Sequence, residues 1–148
     1  MWKTIENNSD VSEFMEKVCR FHDSCIKEIS YISGAYVNAD RSMHPLNDRR
    51  ILRVLIQRQS ESDPVTELEF SGLKCLKLFP VDERYTCEIS DSSMIIKDGC
   101  VYWSDCDSSQ EFDFDSCDGV FVCAEKLRWR SVENQLGEKE FYRSECKC

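Results

Sequence analysis

Histidine is scarce in this chain of 148 residues, which contains only His22 and His44. The dipeptide His22-Asp23 has the composition of the metal-binding motif of metal-dependent phosphohydrolases. A site of that kind needs further histidine and aspartate ligands on several helices. Two histidines cannot supply such a ligand set. The sequence instead predicts a turn in which Asp23 accepts main-chain hydrogen bonds, Phe21 is buried and His22 covers the edge of Phe21.

Glycine and proline are also few, with five and three residues. Five glycines leave little for a phosphate-binding loop, and the chain contains none of the patterns GxSxG, GxxxxGK[ST], GxGxxG or HExxH. No window approaches the run of about 18 apolar residues that spans a membrane, and the first residues lack the basic start and apolar core of a secretion signal. These absences favour a cytoplasmic, non-enzymatic protein without a cofactor or membrane contact, and they leave the enzyme question open.

Cysteine is the exception to this scarcity, because the chain has ten. No CxxC pair occurs, so the common spacings of zinc ribbons and thioredoxin-like redox sites are excluded. A chain of this length can bury a core without disulfides, and reduced thiols are therefore expected. Most cysteines, such as Cys87 and Cys123, replace a small apolar residue in a strand pattern. Only Cys146 and Cys148 look exposed, and a thiol or metal role stays open there.

The first periodic pattern in the chain is that of an amphipathic helix of about ten residues. Asp10 or Ser12 is predicted to be its N-cap. Apolar residues then recur at spacings of three and four, and they are Val11, Phe14, Met15 and Val18.

Almost everything after this helix alternates as a β-strand does, with short turns between the runs. The run at 50–58 is apolar on both faces, which is typical of the centre of a sheet. The run at 65–71 places Thr66, Leu68 and Phe70 inward and Glu67 and Glu69 outward. The predicted strands are 25–33, 50–58, 65–71 continued to Pro80 past a bulge at Gly72, 85–90, 93–105 around a hairpin turn at Asp98-Gly99, and 120–132.

One helix followed by about seven to nine strands with short connections predicts an α+β fold. The N-terminal amphipathic helix is expected to pack on a mostly antiparallel sheet or on a partly closed barrel. No break in composition marks a second domain, so residues 1–148 are predicted to form a single domain. The residues from about 133 are polar and predict a frayed tail or a short final element.

Negative charge is concentrated in about one quarter of the chain. Residues 82–119 carry eleven acidic and two basic side chains, a balance of −9 that equals the net charge of the whole chain. Such a field attracts a basic protein partner, whereas nucleic acid as a ligand would need clustered Lys and Arg. A solvated hairpin edge that resists aggregation is the structural alternative.

The predicted docking surface is the acidic segment 105–118 together with the aromatic residues near it, because buried aromatic anchors carry much of the energy of protein–protein binding. Its residues are Asp105, Asp107, Glu111, Asp113, Asp115, Asp118, Tyr102, Trp103, Phe112 and Phe114.

A calcium-binding module at 105–118 is a second hypothesis. An EF-hand loop that has Gly119 at its sixth position would place Asp118 at the fifth and Glu125 at the twelfth. Phe114 then stands where the first oxygen ligand belongs, and the flanking residues predict strands rather than helices. The pattern therefore does not predict a true EF-hand.

A small enzyme or ligand-binding barrel with a pocket near His22 and Glu125 is the third hypothesis. In the predicted last strand Glu125 interrupts an apolar row, so a buried Glu125 would need a partner such as Arg53 or would hold a proton. The apolar members of that row are Phe121, Cys123, Leu127 and Trp129.

Two stretches carry a resemblance to a known group of proteins. A helix that ends in Phe21-His22-Asp23 and leads into a strand, and the segment VTELEFSGLKCLKL at 65–78, resemble small cytoplasmic proteins of Gram-positive bacteria that include immunity proteins of polymorphic toxin systems. The resemblance spans about half the chain. It implies a non-catalytic protein that binds and neutralises a toxin, often a basic nuclease, and it carries over no site residues.

Overall fold

The computed structural model describes residues 1–107 and 117–143. Within these residues the chain forms one α-helix, one 3₁₀ turn (Cys19–Phe21) and nine strands. This is an α+β architecture with a mostly antiparallel sheet, as the sequence predicts. The elements in chain order are β1 (Lys3–Ile5), α1 (Asn8–Lys17), β2 (Ser24–Ile32), β3 (Tyr36–Val37), β4 (Met43–His44), β5 (Ile51–Arg58), β6 (Val65–Lys77), β7 (Ser93–Lys97), β8 (Cys100–Ser104) and β9 (Phe121–Ser131).

Seven of these strands form the main sheet: six follow the order β2-β5-β6-β9-β8-β7, and the seventh, β1, pairs with β9. β1 joins the sheet beside the C-terminal half of β9, with Lys3 opposite Trp129, while β8 pairs with the N-terminal half of β9. β5 lies between β2 and β6, which confirms its predicted place inside the sheet. The sheet does not close into a barrel, and β3 and β4 form a separate small hairpin.

Asn7, and not the predicted Asp10 or Ser12, caps α1. The Asn7 side chain accepts hydrogen bonds from the main-chain N–H groups of Ser9 and Asp10 at 2.8 and 3.0 Å. The Asp10 carboxylate accepts in return from the Asn7 N–H at 3.2 Å, which completes a capping box. The helix therefore begins one turn earlier than the apolar spacing indicates, because the Asn7 side chain satisfies two of its first N–H groups.

α1 contacts the sheet through an aromatic ring and a polar side chain. The ring of Phe14 lies 4.7 Å from that of Trp129 on β9, measured between centroids. The side-chain amide of Asn8 donates to the Ile96 carbonyl at 3.0 Å and accepts from the Ile96 N–H at 2.8 Å. Asn8 thus satisfies two main-chain groups of the edge strand β7 that would otherwise be open to pairing with another chain.

The turn between α1 and β2 has an unusual backbone and a buried centre. Cys19, Arg20, Phe21 and Asp23 all have φ between +49° and +57°, a left-handed conformation that costs a non-glycine residue about 1 kcal/mol or more. Phe21 is fully buried, as predicted, and its ring meets Phe14 and Trp103 edge to face at 5.8 and 6.4 Å. Burial of this ring offsets the cost of the turn.

The main chain of Asp23, rather than its carboxylate, connects this turn to the rest of the structure. Its N–H donates to the Ile89 carbonyl at 3.1 Å, and its carbonyl accepts from the Gln59 N–H at 3.0 Å. The carboxylate instead lies 3.4 Å from His22 Nε2. Residues 85–90, which the sequence predicts to be a strand, make only an isolated bridge in which Ile89 pairs with Ser24.

β6 and β9 pair along their length, and at one point in this pairing both strands switch the face whose side chains pack in the core. Phe70 pairs with Leu127 and Leu73 pairs with Ala124, so two residues on each strand separate successive core pairs. Gly72 makes this possible with a φ of +63°. The predicted single apolar row from Phe121 to Trp129 is therefore wrong, because Phe121 and Cys123 pack in a second, cysteine-rich cluster on the other face.

In the part of the chain that the structure describes, no helix is long and apolar enough to cross a membrane.

Replacing Phe21 with alanine tests the importance of this turn. We expect Phe21→Ala to lower the free energy of unfolding by about 3–5 kcal/mol, because the ring is fully enclosed and its loss leaves a cavity. Urea unfolding at constant m-value measures the change. Tyr85→Ala is the matched control, since Tyr85 is 71% exposed, and its effect should stay within about 0.5 kcal/mol. Equal losses in the two variants would contradict this description of the core.

Candidate functional site

Two carboxylates that the sequence places on the outward face of β6 are almost completely buried. Glu67 and Glu69 are 1% and 5% exposed. Glu67 accepts a hydrogen bond from Arg130 Nε at 2.6 Å. Glu69 accepts from Arg53 Nε and Arg128 Nε, both at 2.8 Å. The three arginines lie on the neighbouring strands β5 and β9, so the pairs form a charged layer across the middle of the sheet.

Residues from both ends of the described chain cover this charged layer. The Trp2 ring lies 4.5 and 4.6 Å from the guanidinium carbons of Arg128 and Arg130. The Tyr142 hydroxyl donates to Glu67 at 3.1 Å, and burial together with the Glu67 charge raises the pKa of Tyr142. Glu28 accepts from the main-chain N–H groups of Phe141 and Tyr142 at 2.7 and 2.8 Å. The two carboxylates are paired and buried, and the side chains of Arg53, Arg128 and Arg130 stay 33%, 45% and 35% exposed. Complete pairing of the buried carboxylates is typical of a structural role.

His22 and Glu125 are both exposed and have different neighbours. His22 Nδ1 donates to the Ser90 carbonyl at 2.5 Å, and this hydrogen bond, with the adjacent Asp23 carboxylate, raises the pKa of His22. Glu125 lies at the face change in β9, 3.8 Å from Arg50. Its predicted partner Arg53 is paired with Glu69 instead. No contact joins His22 to Glu125 among the described residues, so the geometry does not build a pocket from this pair.

The residues of the predicted docking surface separate into exposed and buried groups. Asp107 and Asp118 are exposed, and Asp107 lies 3.8 Å from Arg20. Tyr102 is half-buried, with its ring 6.1 Å from that of Phe121. Trp103 is fully buried in the core and cannot serve as a surface anchor. The remaining predicted residues lie outside the described part of the chain, and they are Glu111, Phe112, Asp113, Phe114 and Asp115.

Asp105 is turned inward and fixes the loop around it. Its Oδ1 accepts a hydrogen bond from the Val120 N–H at 2.8 Å, and burial raises the pKa of Asp105. A Cβ placed on Gly119 would lie 2.2 Å from this oxygen, so the close approach requires glycine. The predicted calcium loop includes residues 108–116, which are outside the described residues, and Asp105 is not among the freely exposed carboxylates.

Two cysteines lie beside Asp105. The Cys106 and Cys117 sulfurs are 3.9 Å apart, and Cys106 Sγ is 3.4 Å from Asp105 Oδ1. Burial, with the nearby Asp105 and Cys117, raises the pKa of Cys106 to about 12. The sequence does not show this cluster, because ten residues separate the two cysteines and common metal motifs place their cysteines two to four residues apart. The eight cysteines of the described residues form no disulfide.

The segment 78–85, which we call the exposed apolar segment, was also missed. Four of its large side chains are at least half exposed, and they are Leu78, Phe79, Val81 and Tyr85, at 50%, 55%, 52% and 71%. Asp82 and Glu83 lie between them and are exposed too. The signal in the sequence was the run LFPV, in which Pro80 ends the predicted strand and leaves apolar residues on both sides of it.

The exposed apolar segment connects two other features of the surface. Lys77 Nζ lies 4.9 Å from the Phe79 ring and donates to the Cys117 carbonyl, which places Phe79 near the loop that carries Asp118. At the other end of the segment, Tyr85 lines a cleft of 530 Å³ together with Cys25 at the start of β2. Neither His22 nor Glu125 lines this cleft.

Comparison of the chain with models of protein families, with curated proteins and with solved structures gave no match.

Replacing Glu69 with glutamine tests whether the charged layer holds the sheet together. We expect Glu69→Gln to lower the free energy of unfolding by about 1–3 kcal/mol, because two arginines lose their charged partner. Glu125→Gln is the matched control. It should change the free energy of unfolding by less than about 0.5 kcal/mol, since the Glu125 side chain is 46% exposed. Urea unfolding gives both values, and a Glu69 effect no larger than that of Glu125 would contradict a structural role for the layer.

Proposed function

We propose that this protein is a non-catalytic protein-binding module whose partner is a basic protein. Its docking surface comprises the exposed apolar segment 78–85 and the acidic residues around it, including Asp118. The single observation that carries the proposal is the exposure of four large apolar side chains within eight consecutive residues. Soluble domains seldom expose large apolar side chains in such a group unless the surface meets another molecule.

The composition of this surface fits a protein interface. Aromatic side chains such as Phe79 and Tyr85 act as anchors when a partner encloses them, and a polar rim around them excludes water. Glu83 and Asp118 are the acidic part of that rim, because Asp82 is paired with Arg84 at 2.8 Å. The cleft beside Tyr85 offers a concave place for a side chain of the partner.

The charge distribution indicates that the partner carries positive charge. The whole excess of negative charge belongs to residues 82–119, and the rest of the chain carries seventeen acidic and seventeen basic side chains. An acidic field on one part of a surface accelerates encounter with a basic partner and orients it toward that part. The finer proposal is an immunity-type protein that neutralises a toxin, supported by the resemblance in the segment 65–78 and by the basic character of many nuclease toxins.

The direct test uses the product of the reading frame immediately upstream of the gene. If that product is a basic toxin, co-expression of the protein should restore growth. Tyr85→Ala should weaken binding about 10- to 100-fold, mainly through faster dissociation, because it removes an aromatic anchor. Tyr36→Ala is the matched control, since Tyr36 is 57% exposed on the β3–β4 hairpin, outside the proposed surface. Equal affinities of these two variants would contradict the proposed surface.

Charge reversal tests the acidic part separately. The double variant Glu83→Lys/Asp118→Lys should slow association about 10-fold at low salt and reduce its salt dependence, because long-range attraction is lost. The double variant Glu61→Lys/Glu133→Lys makes the same change of net charge outside residues 82–119 and should alter the rate less. Surface plasmon resonance at several salt concentrations measures both, and identical rates for the two variants would refute steering by this quarter of the chain.

A further inference from the structure

The cluster of Asp105, Cys106 and Cys117 has the composition of a metal site. Each residue offers one ligand atom, and the three atoms lie within 4.8 Å of one another. Thiolate sulfur favours zinc and other soft metal ions, whereas calcium and magnesium prefer sites made of oxygen alone. Two sulfurs and one carboxylate oxygen therefore select zinc over calcium.

The distances within the cluster match a tetrahedral zinc site. With zinc–sulfur bonds of about 2.3 Å and zinc–oxygen bonds of about 2.0–2.2 Å, a tetrahedron separates two sulfurs by about 3.8 Å and a sulfur from an oxygen by about 3.5 Å. The observed separations are 3.9 Å between the sulfurs of Cys106 and Cys117, and 3.4 Å between Cys106 Sγ and Asp105 Oδ1. Two of the three separations thus fit the tetrahedron, and the third, between Cys117 Sγ and the Asp105 carboxylate, is no more than 4.8 Å.

Neighbouring groups hold the three side chains in place. The Val120 N–H donates to Asp105 Oδ1 at 2.8 Å, and the Cys106 N–H donates to Ser104 Oγ at 3.1 Å. The same Ser104 oxygen lies 3.1 Å from Cys117 Sγ, where its hydroxyl can donate to a thiolate. Partners of this kind orient metal ligands, and their loss lowers metal affinity.

We propose that Asp105, Cys106 and Cys117 bind one zinc ion, with water in the fourth position of the tetrahedron. Binding replaces two S–H bonds with two zinc–sulfur bonds and releases two protons to solvent, so no oxidant or reductant is needed. The Lys77 ammonium, which donates to the Cys117 carbonyl, lies close enough to balance the remaining negative charge. This site is separate from the proposed docking function and stands or falls without it.

The test uses the full chain, reduced with a phosphine and freed of metal with a chelator. Titration with Co²⁺ should give one equivalent of tetrahedral visible absorption and thiolate charge-transfer bands, and Zn²⁺ should displace it. Zn²⁺ should also raise the melting temperature, because it binds the folded protein. The Cys106→Ser/Cys117→Ser variant should lose at least ~100-fold in affinity. Unchanged stoichiometry and affinity in this variant would overturn the proposal.

Cys146 and Cys148 are the obvious competing ligands and provide the control. The Cys146→Ser/Cys148→Ser variant should keep one tight site, and its zinc X-ray absorption spectrum should show two sulfur and two oxygen neighbours. Loss of metal binding in this variant would assign the metal to the tail and overturn the proposal.

Two further measurements are controls for misfolding of the variants and for oxidation of the cysteines. Asp105→Asn keeps the shape of the side chain and should weaken zinc binding while circular dichroism and cooperative unfolding stay unchanged. Equal zinc affinity in Asp105→Asn and the parent chain would remove Asp105 from the site. Mass spectrometry of protein isolated without reductant should show free thiols at Cys106 and Cys117 in the zinc-bound form. If the isolated protein instead contains no zinc and a disulfide between Cys106 and Cys117, the two cysteines are a redox pair and the metal site is overturned.

Discussion

The pairing of two buried carboxylates with three arginines is the constraint on which this sheet depends. Glu67 and Glu69 lie on β6, next to β5 and β9, and both are nearly inaccessible to solvent. A buried carboxylate without a cation is strongly unfavourable, so β5 and β9 must present Arg53, Arg128 and Arg130 in the observed register. A shift of either strand by one residue would turn these arginines to the opposite face.

This constraint also separates the structural surface from the surface available for binding. Trp2 and Tyr142 cover the charged layer, and Glu28 holds the main chain at Phe141 and Tyr142. Both carboxylates of this layer are therefore buried and paired, while its arginines stay partly exposed. The exposed apolar segment follows the end of β6, and its Tyr85 lines a cleft together with Cys25 at the start of β2. The side chains that pair across the sheet and those proposed to meet a partner are thus different residues.

Local sequence patterns predicted the helix and most of the strands, whereas the buried charges and the cysteine cluster depend on contacts between residues far apart in sequence. The helix, the central strand β5 and the hairpin at Asp98-Gly99 follow from periodicity and turn chemistry, which act over a few residues. The burial of Glu67 depends on Tyr142, 75 residues away in sequence, so no local pattern could show it. The approach of Cys106 to Cys117 depends likewise on the hydrogen bond between Val120 and Asp105. Alternation along β9 predicted a single apolar row and failed because the strand changes face at Glu125.

We propose that the exposed apolar segment, and not the charged layer, meets the partner. Hydrogen–deuterium exchange of the protein alone and bound to the basic product of the upstream reading frame tests this most directly. We expect new protection in residues 78–88 and 117–121, with no change in 51–58 or 126–131. Protection confined to the β3–β4 hairpin or to the charged layer, with residues 78–88 unchanged, would contradict it.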